Sequence, residues 1–123
     1  MKKKILIIDD EVTFAKVLKF NLVETGKYEV LVESRGKEGL ETARKRRPDL
    51  IILDLIMPDI SGEQVLSQLK NQSVTKDIPV IILSSKITEE EIKKENIRLP
   101  KCTLLAKPID IDKFLSIVDK MIK

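Results

Sequence analysis

Histidine and tryptophan are absent from this 123-residue chain, and cysteine occurs once, at Cys102. A zinc or haem site built from histidine and cysteine is therefore excluded, as is a disulfide within the chain, and any resident metal must be held by oxygen. Aromatic side chains are limited to three Phe and one Tyr, so the core must be aliphatic. Wholly apolar runs such as 5–8 and 50–53 fall far short of the ~20 residues that span a bilayer, and an integral membrane protein is not expected. The start, Met1-Lys2-Lys3-Lys4, has the charge of a signal peptide, but the apolar stretch behind it is too short and ends in Asp9-Asp10. A cytoplasmic location is expected. No charge of either sign dominates: 23 basic and 20 acidic residues leave a formal charge of +3, which gives little reason to expect binding to nucleic acid.

What is present suits one globular domain spanning residues 1–123, with 42% hydrophobic and 35% charged residues. Five short Ile/Leu/Val-rich runs, at 5–8, 28–32, 50–53, 80–83 and 103–106, read as strands. Four are apolar almost throughout, as in strands covered on both faces, while the second has polar flanks and reads as an edge. Helix-length segments lie between them. Phe14, Val17, Leu18 and Leu22 share one helical face, ended by Gly26. Ile111, Phe114, Leu115, Val118 and Ile122 form a second stripe after a candidate N-cap, Asp110, with Asp112, Lys113, Asp119 and Lys120 toward water. Ser61 with Gln64, and Thr88 with Glu91, have capping-box spacing. The segment 36–47 is a weaker helix because Gly36 and Gly39 disfavour it, and its basic end, Arg44-Lys45-Arg46-Arg47 before Pro48, complements a helix dipole. Strand then helix, five times over, implies a doubly wound (βα)5 three-layer α/β sandwich with a parallel sheet of order 2-1-3-4-5. Ligands of such sheets bind beyond the carboxyl ends of the strands, where the order reverses between the first and third.

At those ends stand Asp9 and Asp10 after the first strand, Asp54 after the third, Ser84 after the fourth and Lys107 after the fifth. Singly, each is an ordinary N-cap or turn residue. Together they put three carboxylates into one crevice, where like charges raise one another's pKa unless a cation intervenes. A hard divalent ion such as Mg2+ meets that need. Lys107 adds a point cation for a phosphate oxygen or for Asp54, and Ser84 a hydroxyl donor. Phosphoryl transfer needs mainly positioning and charge neutralisation, and a carboxylate can serve as the nucleophile.

Asp9-Asp10-Glu11, then Asp54 in Leu53-Asp54-Leu55-Ile56-Met57-Pro58 with Gly62, then Ser84-Ser85, then Lys107-Pro108, resemble the receiver domains of response regulators in two-component signalling, which have a flavodoxin-like fold. The resemblance covers essentially the whole chain. It implies that Asp54 accepts a phosphoryl group from the phosphohistidine of a sensor histidine kinase or histidine phosphotransfer protein. It further implies that Asp10 and Asp54 ligate Mg2+ with the Ile56 carbonyl, that Asp9 acts through water, and that Ser84 and Lys107 contact the phosphoryl group. The peptide bond before Pro108 is expected to be cis. The switch is expected at Ser84 and Leu104, where Leu104 replaces the tyrosine or phenylalanine common in the family, and the segment 95–102 lacks the usual Gly-Ala pair. Ile56 and Lys86 match positions that, in the family the chain resembles, influence phosphoryl lifetime. With no output domain after the last helix, the signal is expected to pass by contact with a protein target, through the fourth and fifth helices and the fifth strand.

Beyond phosphoryl transfer onto itself and its own dephosphorylation, no enzymatic turnover is expected. Asp9-x-Glu11-x-Thr13 distantly resembles the signature of aspartate-nucleophile phosphohydrolases, but the second carboxylate is misplaced and Asp54 is left unused. A flavodoxin-type electron carrier lacks its phosphate loop and flavin-stacking aromatics here, and a pseudo-receiver docking module would lack the phosphorylation residues. Cys102 and Met57 read as packing residues. Glu11 could join the acidic cluster as a metal ligand, but an acid in the first turn is commonly there for the helix dipole, and that reading is preferred.

Overall fold

The computed structural model describes residues 2–55, 57, 59–85, 90 and 102–122. Five strands and four helices are seen among them: β1 (Lys3–Ile8), α1 (Val12–Glu24), β2 (Tyr28–Glu33), α2 (Gly36–Arg46), β3 (Leu50–Asp54), α3 (Gly62–Lys70), β4 (Val80–Ser84), β5 (Cys102–Ala106) and α4 (Ile111–Ile122). All strand pairs are parallel, in the expected order β2-β1-β3-β4-β5. The expected cap at Thr88 and Glu91 lies outside the described residues.

Alternation along the strands divides the core into two layers. Ile5 and Ile7 of β1 pack with Ala15, Leu18 and Leu22 of α1 and with Phe114 and Val118 of α4. Leu6 and Ile8 face the other way, onto Leu40 and Ala43 of α2 and Val65 and Leu69 of α3. Because β1, β3 and β4 are sandwiched between these layers, their apolar side chains are almost wholly buried, each contributing roughly 1.5–3 kcal/mol. A charged residue at Ile52 would therefore have to be desolvated without a partner. As expected, β2 is an edge. β5 is the other edge and is mostly half-buried, so its apolar run does not mark coverage on both faces.

The helix faces depart from expectation in detail. In α1 Leu18 and Leu22 are buried and Phe14 packs against the same layer, as expected, but Val17 is 47% exposed and the small residue Ala15 is buried in its place. Gly26 does end the turn after α1, at φ +75. In α2 the glycines are close-approach positions: a Cβ on Gly39 would stand 2.6 Å from Ile8 Cδ1. Burial thus offsets their poor helix propensity. The left-handed residue after α2 is Arg47, at φ 45. Lys113 N–H donates to Asp110 Oδ1 at 3.3 Å, the expected cap of α4. Asp119 does not simply face water: it accepts from the Tyr28 hydroxyl and, at 3.0 Å, from Lys27 Nζ.

Candidate functional site

Register places the site. Ile8 is paired with Leu53, so the next residue of each strand, Asp9 and Asp54, emerges side by side at the carboxyl edge. Asp54 is level with Leu83, and Ser84 with Ala106. Ser84 and Lys107 therefore complete the same edge, where the Lys107 amide donates to the Ser84 carbonyl at 2.9 Å. Asp9, Asp54 and Ser84 are all buried, and the Lys107–Pro108 peptide bond is cis.

The Lys107 ammonium is the hub. Its Nζ lies 2.9 Å from Glu11 Oε1, 3.4 Å from Asp9 Oδ2 and 3.6 Å from Asp54 Oδ1, and 4.4 Å from the centre of the Phe14 ring. Burial alone would lower the lysine's pKa, but the hydrogen bond to Glu11 and the charges of Asp9 and Asp54 outweigh it and raise the pKa above its usual value. Burial pushes the Asp9 carboxyl upward, against the Glu11 amide and Lys107, which stabilise its charged form. That amide donates to Asp9 Oδ1 at 2.9 Å.

One oxygen from each of Asp9, Glu11 and Asp54 lies within 4.8 Å of the others. Three hard oxygen donors this close can bind a metal ion, and a divalent cation among them would relieve their repulsion. Asp10 is exposed and outside this group. The Ile56 carbonyl and Lys86 lie outside the described residues. Leu104 is half-buried against the α2/α3 layer. Met57 is buried in that same layer, as its packing role requires. Cys102 packs against it too, and burial raises its thiol pKa against the pull of Lys70.

Sequence reasoning misjudged one residue of the site's scaffold and did not single out another. Glu11, for which the helix-dipole reading was preferred, stands in the acidic cluster with Asp9 and Asp54 and reaches across to Lys107. Asp59, in the loop after β3, accepts from the Gly36 and Lys37 amides at 3.0 Å each, capping α2 from outside. The Lys37 amide foremost, with that of Gly36, overcomes partial desolvation and lowers the Asp59 pKa to about 2. At α3 the expected capping box is formed: the Gln64 amide donates to Ser61 Oγ and the Ser61 amide to Gln64 Oε1, both at 3.1 Å. No described helix is long and apolar enough to cross a membrane.

Residues 5–119 match the family model of the response regulator receiver domain. The chain is 39% identical over 94 residues to the alkaline phosphatase synthesis transcriptional regulatory protein PhoP of Bacillus subtilis, a match covering 76% of this chain and 37% of that protein. It is 32% identical over 119 residues to the polar-differentiation response regulator DivK of Brucella anthropi, covering 96% of this chain and 94% of the relative. Among solved structures it is similar to the receiver domain of the Francisella response regulator 1452, with 28% identity and a TM-score of 0.83 over 98% of this chain and 97% of that one.

Proposed function

This chain belongs to the response regulator receiver domain family, and from that premise we propose that it accepts a phosphoryl group from phosphohistidine onto Asp54. The observation that carries the reading is the buried Asp54 carboxylate 3.6 Å from the Lys107 ammonium, at the end of the central strand β3.

In the reaction an Asp54 carboxylate oxygen attacks phosphorus, a P–O bond forms, and the P–N bond to the donor imidazole breaks. The imidazole nitrogen keeps the electron pair and takes a proton. Lys107 meets the negative charge on the transferring oxygens, and Ser84 donates a hydrogen bond to one of them. Burial of Asp54 and Ser84 limits the water around the new acyl phosphate. Asp9 and Asp54, with Asp10 at the same strand end and the Ile56 carbonyl, would hold Mg2+. Bound there, the ion would supply the further positive charge that phosphoryl transfer requires.

The donor would be a sensor histidine kinase or histidine phosphotransfer protein, and the output a change in contact with a protein target. The chain is on this reading a phosphoryl acceptor, without turnover of other substrates. Incubation with Mg2+ and acetyl phosphate or phosphoramidate, followed by intact mass measurement, should show one added phosphoryl group, lost in Asp54→Asn. Absence of the adduct would count against the reading, and persistence in Asp54→Asn would refute the assigned site. Release of phosphate from many substrates would favour a hydrolase.

A further inference from the structure

Glu11 occupies the N-cap position of α1 but makes no capping hydrogen bond through its side chain. Its carboxylate is thus not committed to the helix's orphan amides, which the usual short polar N-cap residues would serve. It runs instead to Lys107, 96 residues away in sequence, and makes the shortest of that ammonium's three carboxylate contacts. Its backbone is pinned, with the amide on Asp9 Oδ1 and the carbonyl accepting from Ala15. The side chain remains 60% exposed, with room to move. One turn on, at i+3, the Phe14 ring lies against the same ammonium. The first turn of α1 therefore supplies a two-part cradle for Lys107, one part charged and one aromatic.

We propose that Glu11 is a positioning residue that holds the Lys107 ammonium in the resting state and must yield it when Asp54 carries a phosphoryl group. The inference rests on the phosphoacceptor reading of Asp54. Lys107 now lies 0.7 Å closer to Glu11 than to Asp54 (3.6 Å less 2.9 Å). Any hydrogen bond from the ammonium to oxygens borne on Asp54 is made against that pull. Glu11 thereby sets how favourable the phosphorylated state is, without touching the reacting atoms.

The test is the affinity for beryllium fluoride, a phosphoryl mimic, measured by calorimetry at saturating Mg2+ for the wild-type chain, Glu11→Gln and Glu11→Asp. Glu11→Gln removes the competing charge, and Glu11→Asp draws it back by one methylene, beyond hydrogen-bond reach of Lys107. Both should bind the mimic tighter, on the order of threefold to fivefold, the size of one exposed charged contact. The Lys107 Cε proton resonances, assigned by their loss in Lys107→Arg, should shift on Glu11→Gln in the direction they take when the mimic binds the wild type. Weaker binding in Glu11→Gln, as a metal ligand would give, overturns the proposal. So does unchanged affinity, or a Glu11→Asp chain indistinguishable from wild type while Glu11→Gln is tighter. A wild-type chain that fails to bind the mimic defeats instead the phosphoacceptor reading on which the proposal stands.

Discussion

The α-hydrogen that Gly62 carries in place of a side chain faces the Asp54 backbone: a Cβ there would stand 2.3 Å from the Asp54 carbonyl oxygen and 2.5 Å from Leu55 Cα. The Gly62 amide also donates to the Leu55 carbonyl at 2.8 Å, so α3 begins in direct contact with the strand end that presents the acceptor. Gly62→Ala should lower stability by about 3 kcal/mol, near the upper end for overpacking, because the clashing atoms are backbone and cannot rotate away. Gly39→Ala should cost less, since the Ile8 side chain it meets can yield in part and alanine favours the helix. Urea unfolding of both variants checks the order. Equal midpoints would mean that the loop after Asp54 moves freely aside.

Asp59 should make α2 sensitive to acid. Its pKa of about 2 lies below the ordinary 3.8, so the folded chain favours the ionised form. The stabilisation is complete above the unfolded-state value and is lost as pH falls toward and through about 2. Asp59→Ala should therefore cost about 1 kcal/mol at neutral pH, as loss of a cap does, and the gap from wild type should close as the medium approaches the folded pKa. A gap independent of pH would show that the side chain acts by packing.

Much of this arrangement was legible in the sequence because it depends on periodicity and strand ends. Parallel strands whose apolar runs finish in Ile8 and Leu53 must deliver Asp9 and Asp54 to one edge, and Ser84 and Lys107 follow by the same rule. Glu11 was legible only as one of two alternatives. An acid at a helix start has the same sequence appearance whether it faces the dipole or a lysine from the far end of the chain, and only tertiary placement decides. The outside cap from Asp59 is similar, since its loop comes 23 residues after Gly36. Ala15 carries too little apolar surface to compete, in the sequence, with Val17 for a place on the inward face of α1. Asp119 accepts a hydrogen bond from Tyr28, on a strand separated from it by 91 residues.

Tyr28 is the chain's one tyrosine, so its ionisation can be followed alone. Burial, and then the hydrogen bond its hydroxyl donates to Asp119, raise its pKa above the usual value. The folded state thus holds the phenolic proton more tightly than the unfolded state. The stability this gives is fully present below the unfolded value of about 10 and declines as pH rises beyond it. Absorbance at alkaline pH should show delayed ionisation in the folded chain and ordinary ionisation in urea. Tyr28→Phe should lose about 1 kcal/mol at neutral pH. Normal titration of the folded chain would place the hydroxyl in water.

Charge balance at the strand ends should be visible as opposite stability changes in two variants. Among the described residues, Asp9, Glu11 and Asp54 gather around the Lys107 ammonium, so three carboxylates at close range repel one another there. Asp54→Asn removes part of the repulsion and should raise the melting temperature in chelator by roughly 4 °C, equivalent to about 1 kcal/mol. Lys107→Met removes the ammonium that these carboxylates share and should lower it by at least as much. Adding Mg2+ should reverse the ranking in part: a ligand at a hundred times its dissociation constant stabilises by about 2.7 kcal/mol, a gain that Asp54→Asn forfeits. Lys107→Met should keep the gain, because the ion takes over the neutralising role of the ammonium. Melting curves of the three chains with chelator and with Mg2+ decide the matter. A Mg2+ response undiminished in Asp54→Asn would place the metal elsewhere on the molecule.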